Sequence, residues 1–236
     1  GEHMLTDRLD MIVSHISGKT VADVGTDHAY VAVKLVSTGR CDRVIATDIR
    51  RGPLEAARGN VEKNNCSDRV ELRLGAGLSP LAVGECDEIV IAGMGGELIC
   101  SILRDGAEVA AAAKKLLLQP MNSQAMLREF LTDNGYAIAC EDIECEGFKV
   151  YNLIIAQKGG KVHKFADGFE TELPPYLYRH RNFGALLRKK RREFTKILTG
   201  LENAAEKDWD RIEKYRGYLA RCDEVEYDSS GDCTDN

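Results

Sequence analysis

Several features that mark specialised classes of protein are missing from this sequence. No apolar run approaches the roughly 18 residues that a membrane span requires, so we expect no membrane partner. None of the eight cysteines belongs to a C-x-x-C pair and no histidine cluster accompanies them, so we expect no bound metal. Scattered cysteines without a secretory signal suit a reducing cytoplasm, which is the expected location. What remains is an ordinary globular composition, 44% hydrophobic and 30% charged.

The glycine-rich fingerprint of dinucleotide-binding proteins is also missing where it would be expected. Residues 20–30 (T-V-A-D-V-G-T-D-H-A-Y) predict a strand that turns into a helix, and ligands of open α/β sheets bind at such turns. Gly25 is the only glycine there, and Asp23 and Asp27 flank it. Two unit charges about 5 Å apart interact by roughly 3 kcal/mol at an effective dielectric near 20. These carboxylates would therefore repel a diphosphate and attract the ammonium and sulfonium charges of S-adenosylmethionine (SAM). An equally open alternative is that Asp27 caps the following helix and Asp23 is a loop acid.

Strands and helices alternate along the first two thirds of the chain. Predicted strands cover Thr20–Val24, Arg43–Asp48, Arg69–Leu74, Asp87–Ala92 and Lys114–Gln119, and an antiparallel hairpin follows over Tyr136–Glu144 and Lys149–Gln157. This order predicts the α/β class, as a doubly wound sheet with an antiparallel terminal hairpin. The arrangement is typical of class I SAM-dependent methyltransferases, whereas a dehydrogenase-type sheet would end in another βα unit.

Charge is distributed unevenly along the chain, whose net charge is −6. Residues 1–175 carry a net −7, residues 176–221 a net +7, and residues 222–236 a net −6. After a linker over 159–175, helices over Tyr176–Ala205 and Lys207–Cys222 predict a helical hairpin, with Trp209 in its apolar seam. The predicted domains are thus a ligand-binding domain (5–158), a coiled-coil hairpin (176–222) and a disordered acidic tail (223–236).

A run of five basic residues lies within the positively charged segment. Such a run is usually a solvated helix face, but on an acidic protein it indicates contact with nucleic-acid phosphates. The run and two arginines upstream of it make up the predicted basic face: Arg188, Lys189, Lys190, Arg191, Arg192, Arg179 and Arg181.

Three further turns follow predicted strands. Asp48 ends the second strand, where an acid accepts hydrogen bonds from ribose hydroxyls, a group that NAD and SAM share. Gly75-Ala76-Gly77 would let the backbone approach a planar base, although a plain turn is the simpler explanation. Ala92–Gly96 (A-G-M-G-G) leaves room for a substrate, and Met94 offers a polarizable surface. Gln119–Asn122 could add polar contacts, or Asn122 and Ser123 could cap a helix.

Six short motifs taken together resemble those of the bacterial TrmK family. They are R-L at Arg8, V-A-D-V-G-T-D-H-A-Y, R-L-G-A-G-L, I-A-G-M-G-G, L-Q-P-M and E-G-F-K-V-Y. The resemblance implies a SAM-dependent methyltransferase that modifies N1 of adenosine 22 in the D-arm of tRNA. The sequence does not fix the oligomeric state, and we favour a monomer. The resemblance also implies a SAM site formed by Asp23, Gly25, Thr26, Asp27, His28, Asp48, Ile49, Gly75, Ala76, Gly77, Ala92, Gly93, Met94 and Gly95. Asp27, His28, Tyr30 and Met94 would serve catalysis, and Arg8 would join the basic face in binding tRNA.

One position departs from the family pattern. The family commonly has G-D-G-L where this chain has Gly75-Ala76-Gly77-Leu78, so an acid that could accept from the adenine amino group of SAM is missing. Two rival functions stay open on sequence grounds. An NAD-dependent oxidoreductase would share Asp48, and a non-catalytic RNA-binding protein would keep the basic hairpin.

Overall fold

A seven-stranded sheet organises the amino-terminal part of the chain. The computed structural model describes residues 6–231, with side chains through residue 225. The strands are β1 (Thr20–Val24), β2 (Arg43–Asp48), β3 (Val70–Leu74), β4 (Glu88–Met94), β5 (Lys115–Pro120), β6 (Tyr136–Glu146) and β7 (Lys149–Lys158). Their order is β3-β2-β1-β4-β5-β7-β6; the first five are parallel, and β7 runs antiparallel to β5 and β6. The predicted doubly wound sheet with an antiparallel terminal hairpin is confirmed.

Helices cover both faces of this sheet. They are α1 (Asp7–Ser14), α2 (Tyr30–Ser37), α3 (Arg51–Lys63), α4 (Gly96–Asp105), α5 (Ala107–Ala112) and α6 (Gln124–Asp133). Apolar side chains of α1, α2 and α3 pack in one core cluster with Val21, and those of α4, α5 and α6 pack in a second cluster with Ala22. Neighbouring residues of a strand point to opposite faces, so β1 contributes to both clusters and is buried on both sides.

Most strands and helices have nearly the bounds that the sequence predicted, and the structure contains one helix that was not predicted. β3 lies at one edge of the sheet. The short helix α5 was not predicted, because its A-E-V-A-A-A segment shows no apolar periodicity over its 6 residues. None of the helices described within residues 6–231 is long and apolar enough to cross a membrane.

The carboxy-terminal residues form a second compact unit, which begins at Phe165. It contains α7 (Gly168–Glu172), a 3-10 turn at Pro175–Leu177, α8 (Phe183–Glu202) and α9 (Trp209–Gly231). The ring of Phe194 on α8 lies 5.9 Å from that of Tyr215 and 5.2 Å from that of Tyr218, both on α9. Aromatic packing therefore joins the two long helices.

Four predictions for this unit need correction. The predicted linker contains α7, whose Phe169 is fully buried, and the first long helix begins at Phe183 rather than Tyr176. Trp209 is 60% exposed and lies outside the apolar seam. The tail predicted to be disordered is helical as far as Gly231, because Cys222 and Val225, three residues apart, extend the buried face of α9. The rest of that tail lies outside the described residues.

Candidate functional site

A cavity of about 920 Å³ opens at the carboxyl ends of the parallel strands. This is the edge at which open α/β sheets bind ligands, because several strand-to-helix turns converge there. Thirteen of the predicted site residues line the cavity: Arg8, Asp23, Gly25, Asp27, Tyr30, Asp48, Ile49, Gly75, Ala76, Gly77, Ala92, Gly93 and Met94. Thr26, His28 and Gly95 are predicted site residues that do not line it.

Asp23 is a buried carboxyl group at the end of β1. The Thr26 hydroxyl donates a hydrogen bond of 2.8 Å to its Oδ2, which explains the place of Thr26 behind the cavity wall. The pKa of Asp23 is raised from 3.8 to about 6, mainly by burial; the Thr26 hydrogen bond opposes this shift, and the charges of Asp27 and Asp48 add to it. The free site thus holds an acid whose charged form needs a cationic partner.

Asp27 does not cap the following helix. The N-cap residue of α2 is Ala29, and no side chain there accepts a capping hydrogen bond. His28 and Ala29 both have positive φ, and the Asn60 amide donates to the His28 carbonyl oxygen at 2.7 Å, which holds this turn. The Asp27 side chain is 85% exposed at the cavity. The capping alternative for Asp27 is therefore wrong.

His28 does not line the cavity, and its half-exposed side chain lies beside Tyr30. Its ring stacks on the Tyr30 ring with centroids 5.4 Å apart, and its Nε2 lies 3.4 Å from Asp27 Oδ1. The histidine thus contacts two residues that line the cavity and can orient both of them.

Asp48 is buried at the end of β2 and fixes two turns of the site. Its Oδ1 accepts from the Arg50 backbone N–H at 2.8 Å, and its carbonyl oxygen accepts from the Gly75 N–H at 2.9 Å. The next side chain, Ile49, is 66% exposed although it is large and apolar. A polar acceptor beside an exposed apolar surface suits a nucleoside, whose ribose and base have these two characters.

Gly25 and Met94 meet across the floor of the cavity. Gly25 has φ +71°, and a Cβ atom added there would lie 2.2 Å from Met94 Cε. Any larger residue would displace the methionine as well as strain the backbone. The backbone conformation of this turn, with Met94 packed against it, therefore explains its single glycine without a pyrophosphate.

A bulge in β4 connects the site to α1. The Gly93 N–H donates to Gln119 Oε1 at 3.1 Å, and Arg8 Nη1 donates to the same oxygen at 2.9 Å. The Arg8 guanidinium also lies 5.7 Å from the centroid of the Tyr151 ring. Arg8, which the resemblance grouped with the basic face, thus lies in the wall of the cavity. The polar contacts expected of Gln119–Asn122 are made here by Gln119, which lies within β5 next to its carboxyl end.

Gly95 and Gly96 serve packing outside the cavity. A Cβ atom at Gly96 would lie 2.5 Å from the Ser123 carbonyl oxygen, and one at Gly95 would lie 3.0 Å from Asn122 Oδ1. Asn122 Oδ1 accepts from the Gly96 N–H at 3.3 Å, and Ser123 is the N-cap of α6 without a side-chain capping bond. The Ser123 side chain therefore does not cap α6, and the Asn122 side chain instead accepts from the first N–H of α4.

One wall of the cavity was missed by the sequence analysis. Residues of the β3–β4 loop and of α4 and α5 form it, and two of its large apolar side chains are exposed, Val83 at 58% and Leu98 at 53%. Leu98 lies on the solvent-facing side of the amphipathic helix α4, where polar residues are usual. An apolar residue at this position could have indicated from the sequence that this side of α4 faces a ligand.

The five consecutive basic residues of α8 do not form one basic face. Successive helical residues are rotated by about 100°, so a run of five surrounds the helix. Lys190 is buried, and its Nζ lies 2.8 Å from Glu172 Oε2. Arg191 pairs with Asp223 at 2.6 Å, and burial lowers the pKa of Lys189.

Other basic residues of this unit are exposed. Arg188, Arg192 and Lys196 recur every four residues on α8 and all three are exposed, so they form one stripe. Arg179 and Arg181 are exposed just before this helix. The stripe, and not the whole run, is the surface that could follow a phosphate backbone.

The charges of the cavity favour a cationic ligand. Five carboxylate residues line it, against two arginines, Arg8 and Arg50; the acids are Asp23, Asp27, Asp48, Asp105 and Glu108. Among the described side chains, no group of three or more His, Cys, Asp or Glu residues is arranged to hold a metal ion. The site thus offers carboxylates, apolar surface and backbone groups, a set that fits a nucleoside bearing positive charge.

Comparison with known proteins gives consistent results. A family described as a methyltransferase domain matches residues 5–154. The tRNA (adenine(22)-N(1))-methyltransferase of Bacillus subtilis (strain 168) is 34% identical over 77% of this chain and 78% of its own length. A Streptococcus pneumoniae protein solved in complex with SAM is 30% identical, with a TM-score of 0.83 over 94% of this chain and 99% of that one. The B. subtilis m1A22 tRNA methyltransferase TrmK is 28% identical in its crystal structure, with a TM-score of 0.82 over 95% and 99% of the two chains.

Proposed function

This chain belongs to the methyltransferase-domain family and, within it, to the TrmK family, and we propose that it methylates N1 of adenine 22 in tRNA with SAM as the methyl donor. The observation that carries the proposal is the acidic cavity at the carboxyl edge of the sheet. Its buried Asp23 suits a cationic ligand, and Asp48 with Ile49 suits a nucleoside. The rival functions lack such support, because carboxylates disfavour the NAD pyrophosphate and a non-catalytic RNA-binding protein has no use for this cavity.

The residues of the cavity divide into three groups by the part of SAM that each would hold. Asp23 and Asp27 would face the charged methionine part, and Asp48 and Ile49 the ribose and adenine. Gly75, Ala76 and Gly77 would flank the adenine through their backbone, since Ala76 cannot accept a side-chain hydrogen bond. When bound, SAM supplies an activated methyl group, which adenine N1 takes up by in-line displacement.

The remaining contribution of the protein is to position the acceptor and to handle its charge. Met94 and the Gly93 bulge border the space that the adenine would enter, and Arg8 forms the adjoining wall. Methylation leaves a positive charge on the adenine until a proton leaves N6. We infer that the exposed Asp27 carboxylate stabilises this charge and accepts that proton, and that His28 and Tyr30 position it.

Methyl transfer to a defined base is the direct test. Purified protein is incubated with labelled SAM and an unmodified tRNA transcript, and the methylated base is mapped by mass spectrometry. We expect 1-methyladenine at position 22, and none in a transcript with guanine there. Methylation of another position would contradict the proposed substrate, and calorimetric binding of NAD instead of SAM would contradict the proposed reaction.

We also propose that the exposed stripe Arg188, Arg192 and Lys196 contacts the tRNA backbone. Replacing Arg188 and Arg192 by Glu should weaken tRNA binding. The slope of log Kd against log salt concentration should also fall by about one for each phosphate contact that is lost. The matched control reverses Lys34 and Lys63, two exposed lysines of the amino-terminal unit. Equal weakening by both double variants would show that only net charge matters.

We further infer that the enzyme acts as a monomer, and that it acts in the cytoplasm, where its tRNA substrate would be found. Light scattering should then give a mass near 26.1 kDa, and a mass twice as large would contradict the inference.

A further inference from the structure

A fully exposed phenylalanine lies at the tip of the β6–β7 hairpin. Glu146 pairs with Lys149, so Gly147 and Phe148 form a two-residue turn, and only the glycine has positive φ, as in type II′ turns. The Phe148 side chain is 101% exposed, more than any other large apolar side chain described. Its position is fixed by two paired strands, and it contributes no burial to the fold.

The hairpin tip lies at the same edge of the sheet as the cavity. β7 is antiparallel to β5, so β7 begins beside the carboxyl end of β5. Glu146 Oε1 accepts from the Arg8 backbone N–H at 2.7 Å, and the Arg8 side chain lines the cavity. Phe148 precedes Tyr151, the ring below the Arg8 guanidinium, by three residues, or roughly 10 Å along the strand. An unbroken set of contacts thus leads from the tip to the cavity.

Neither the turn nor the fold requires an aromatic residue at this position. Tight turns favour Gly, Asn, Asp, Ser and Pro for backbone reasons, and Phe has none of these advantages. An aromatic face in solvent is, however, a platform on which any nucleobase can stack. Lys149 is exposed next to it and supplies a positive charge for a phosphate.

We propose that Phe148 stacks on a tRNA base next to the target adenine while the adenine occupies the cavity. An adenine whose N1 must reach a cavity has to leave its stack, and its neighbours then lose a stacking partner. The Phe148 ring replaces that partner and so lowers the cost of displacing the adenine. This inference rests on the proposed function, because it requires a tRNA substrate.

Variants that separate ring stacking from apolarity test the inference. Phe148→Leu keeps an apolar side chain without a ring, and Phe148→Trp keeps a ring. For an unmodified tRNA transcript we expect kcat/KM to fall about 5- to 150-fold in Phe148→Leu, the range for loss of one base–aromatic stack, and to stay within about threefold in Phe148→Trp. SAM affinity, measured by calorimetry, should be the same in both variants and in the wild type.

A second substrate tests whether the ring compensates for lost stacking. On a short single-stranded RNA containing the target adenine, little stacking is lost, so the Phe148→Leu defect should shrink. Wild-type kinetics of Phe148→Leu on tRNA would overturn the inference, and so would equal defects on both substrates or equal defects in the Leu and Trp variants. A wild-type protein that methylates no tRNA would instead overturn the proposed function.

Discussion

Replacing the buried Asp23 by Asn should stabilise the ligand-free protein at neutral pH. Asp23 is 7% exposed and has a pKa of about 6 in the folded chain against 3.8 ordinarily. An acid with a raised pKa binds its proton more tightly in the folded state, so it destabilises the fold wherever it is ionised. The penalty is full above about pH 6 and disappears as the pH falls towards 3.8.

The shift of about two pH units sets the size of the effect. Each unit corresponds to about 1.4 kcal/mol, so ionised Asp23 costs about 3 kcal/mol at pH 7 to 8. Asn is neutral and nearly isosteric, and its side-chain oxygen can still accept from the Thr26 hydroxyl. We therefore expect Asp23→Asn to raise the free energy of unfolding by up to about 3 kcal/mol at pH 8 and by well under 1 kcal/mol at pH 4.

Denaturant unfolding of both proteins at pH 4, 5, 6, 7 and 8 measures this difference, and comparison at each pH cancels the other titrating groups. Asp27→Asn is the matched control, because that side chain is 85% exposed and its replacement should change stability by less than about 0.5 kcal/mol. Calorimetry should show the opposite effect on ligand binding: Asp23→Asn loses SAM affinity, and the wild type binds SAM more weakly below pH 6.

Two results would refute this reasoning. If Asp23→Asn destabilises the free protein at pH 8, burial of the charge is not the dominant effect. If the stability difference is the same at pH 4 and pH 8, the two proteins differ by something other than the titration of Asp23.

Two further predictions concern packing. Gly25→Ala should cost about 1 to 2 kcal/mol, mainly because of its φ of +71°, since Met94 Cε, 2.2 Å from the new Cβ, ends a flexible side chain that can move. Thermal unfolding checks this against Gly52→Ala, which meets no atom within 4 Å and should be neutral or stabilising. Arg128→Leu should lower the free energy of unfolding by about 3 to 5 kcal/mol, because the fully buried Glu141 side chain would lose its 2.7 Å ion pair. In chemical denaturation, the double variant Arg128→Leu with Glu141→Leu should recover much of this loss. A double variant no more stable than the single one would contradict this account.

The order of elements and the edge that carries the site could be read from the sequence. β1 and β2 have the predicted bounds, because short apolar runs between turn residues specify buried strands locally. Asp23, Gly25 and Asp48 could be placed at the cavity because each lies at or next to the carboxyl end of a strand, and parallel strands end at one edge.

Tertiary structure decided what depends on contacts between distant residues. The sequence showed that Asp27 follows a strand, but only the left-handed turn at His28 and Ala29 excludes a capping role. Five basic residues in a row were visible, yet the ion pair of Lys190 with Glu172 depends on how α7 and α8 pack. The reason is physical: the polarity of a short segment fixes its local conformation, whereas burial, pKa and partner depend on what the rest of the chain places beside it.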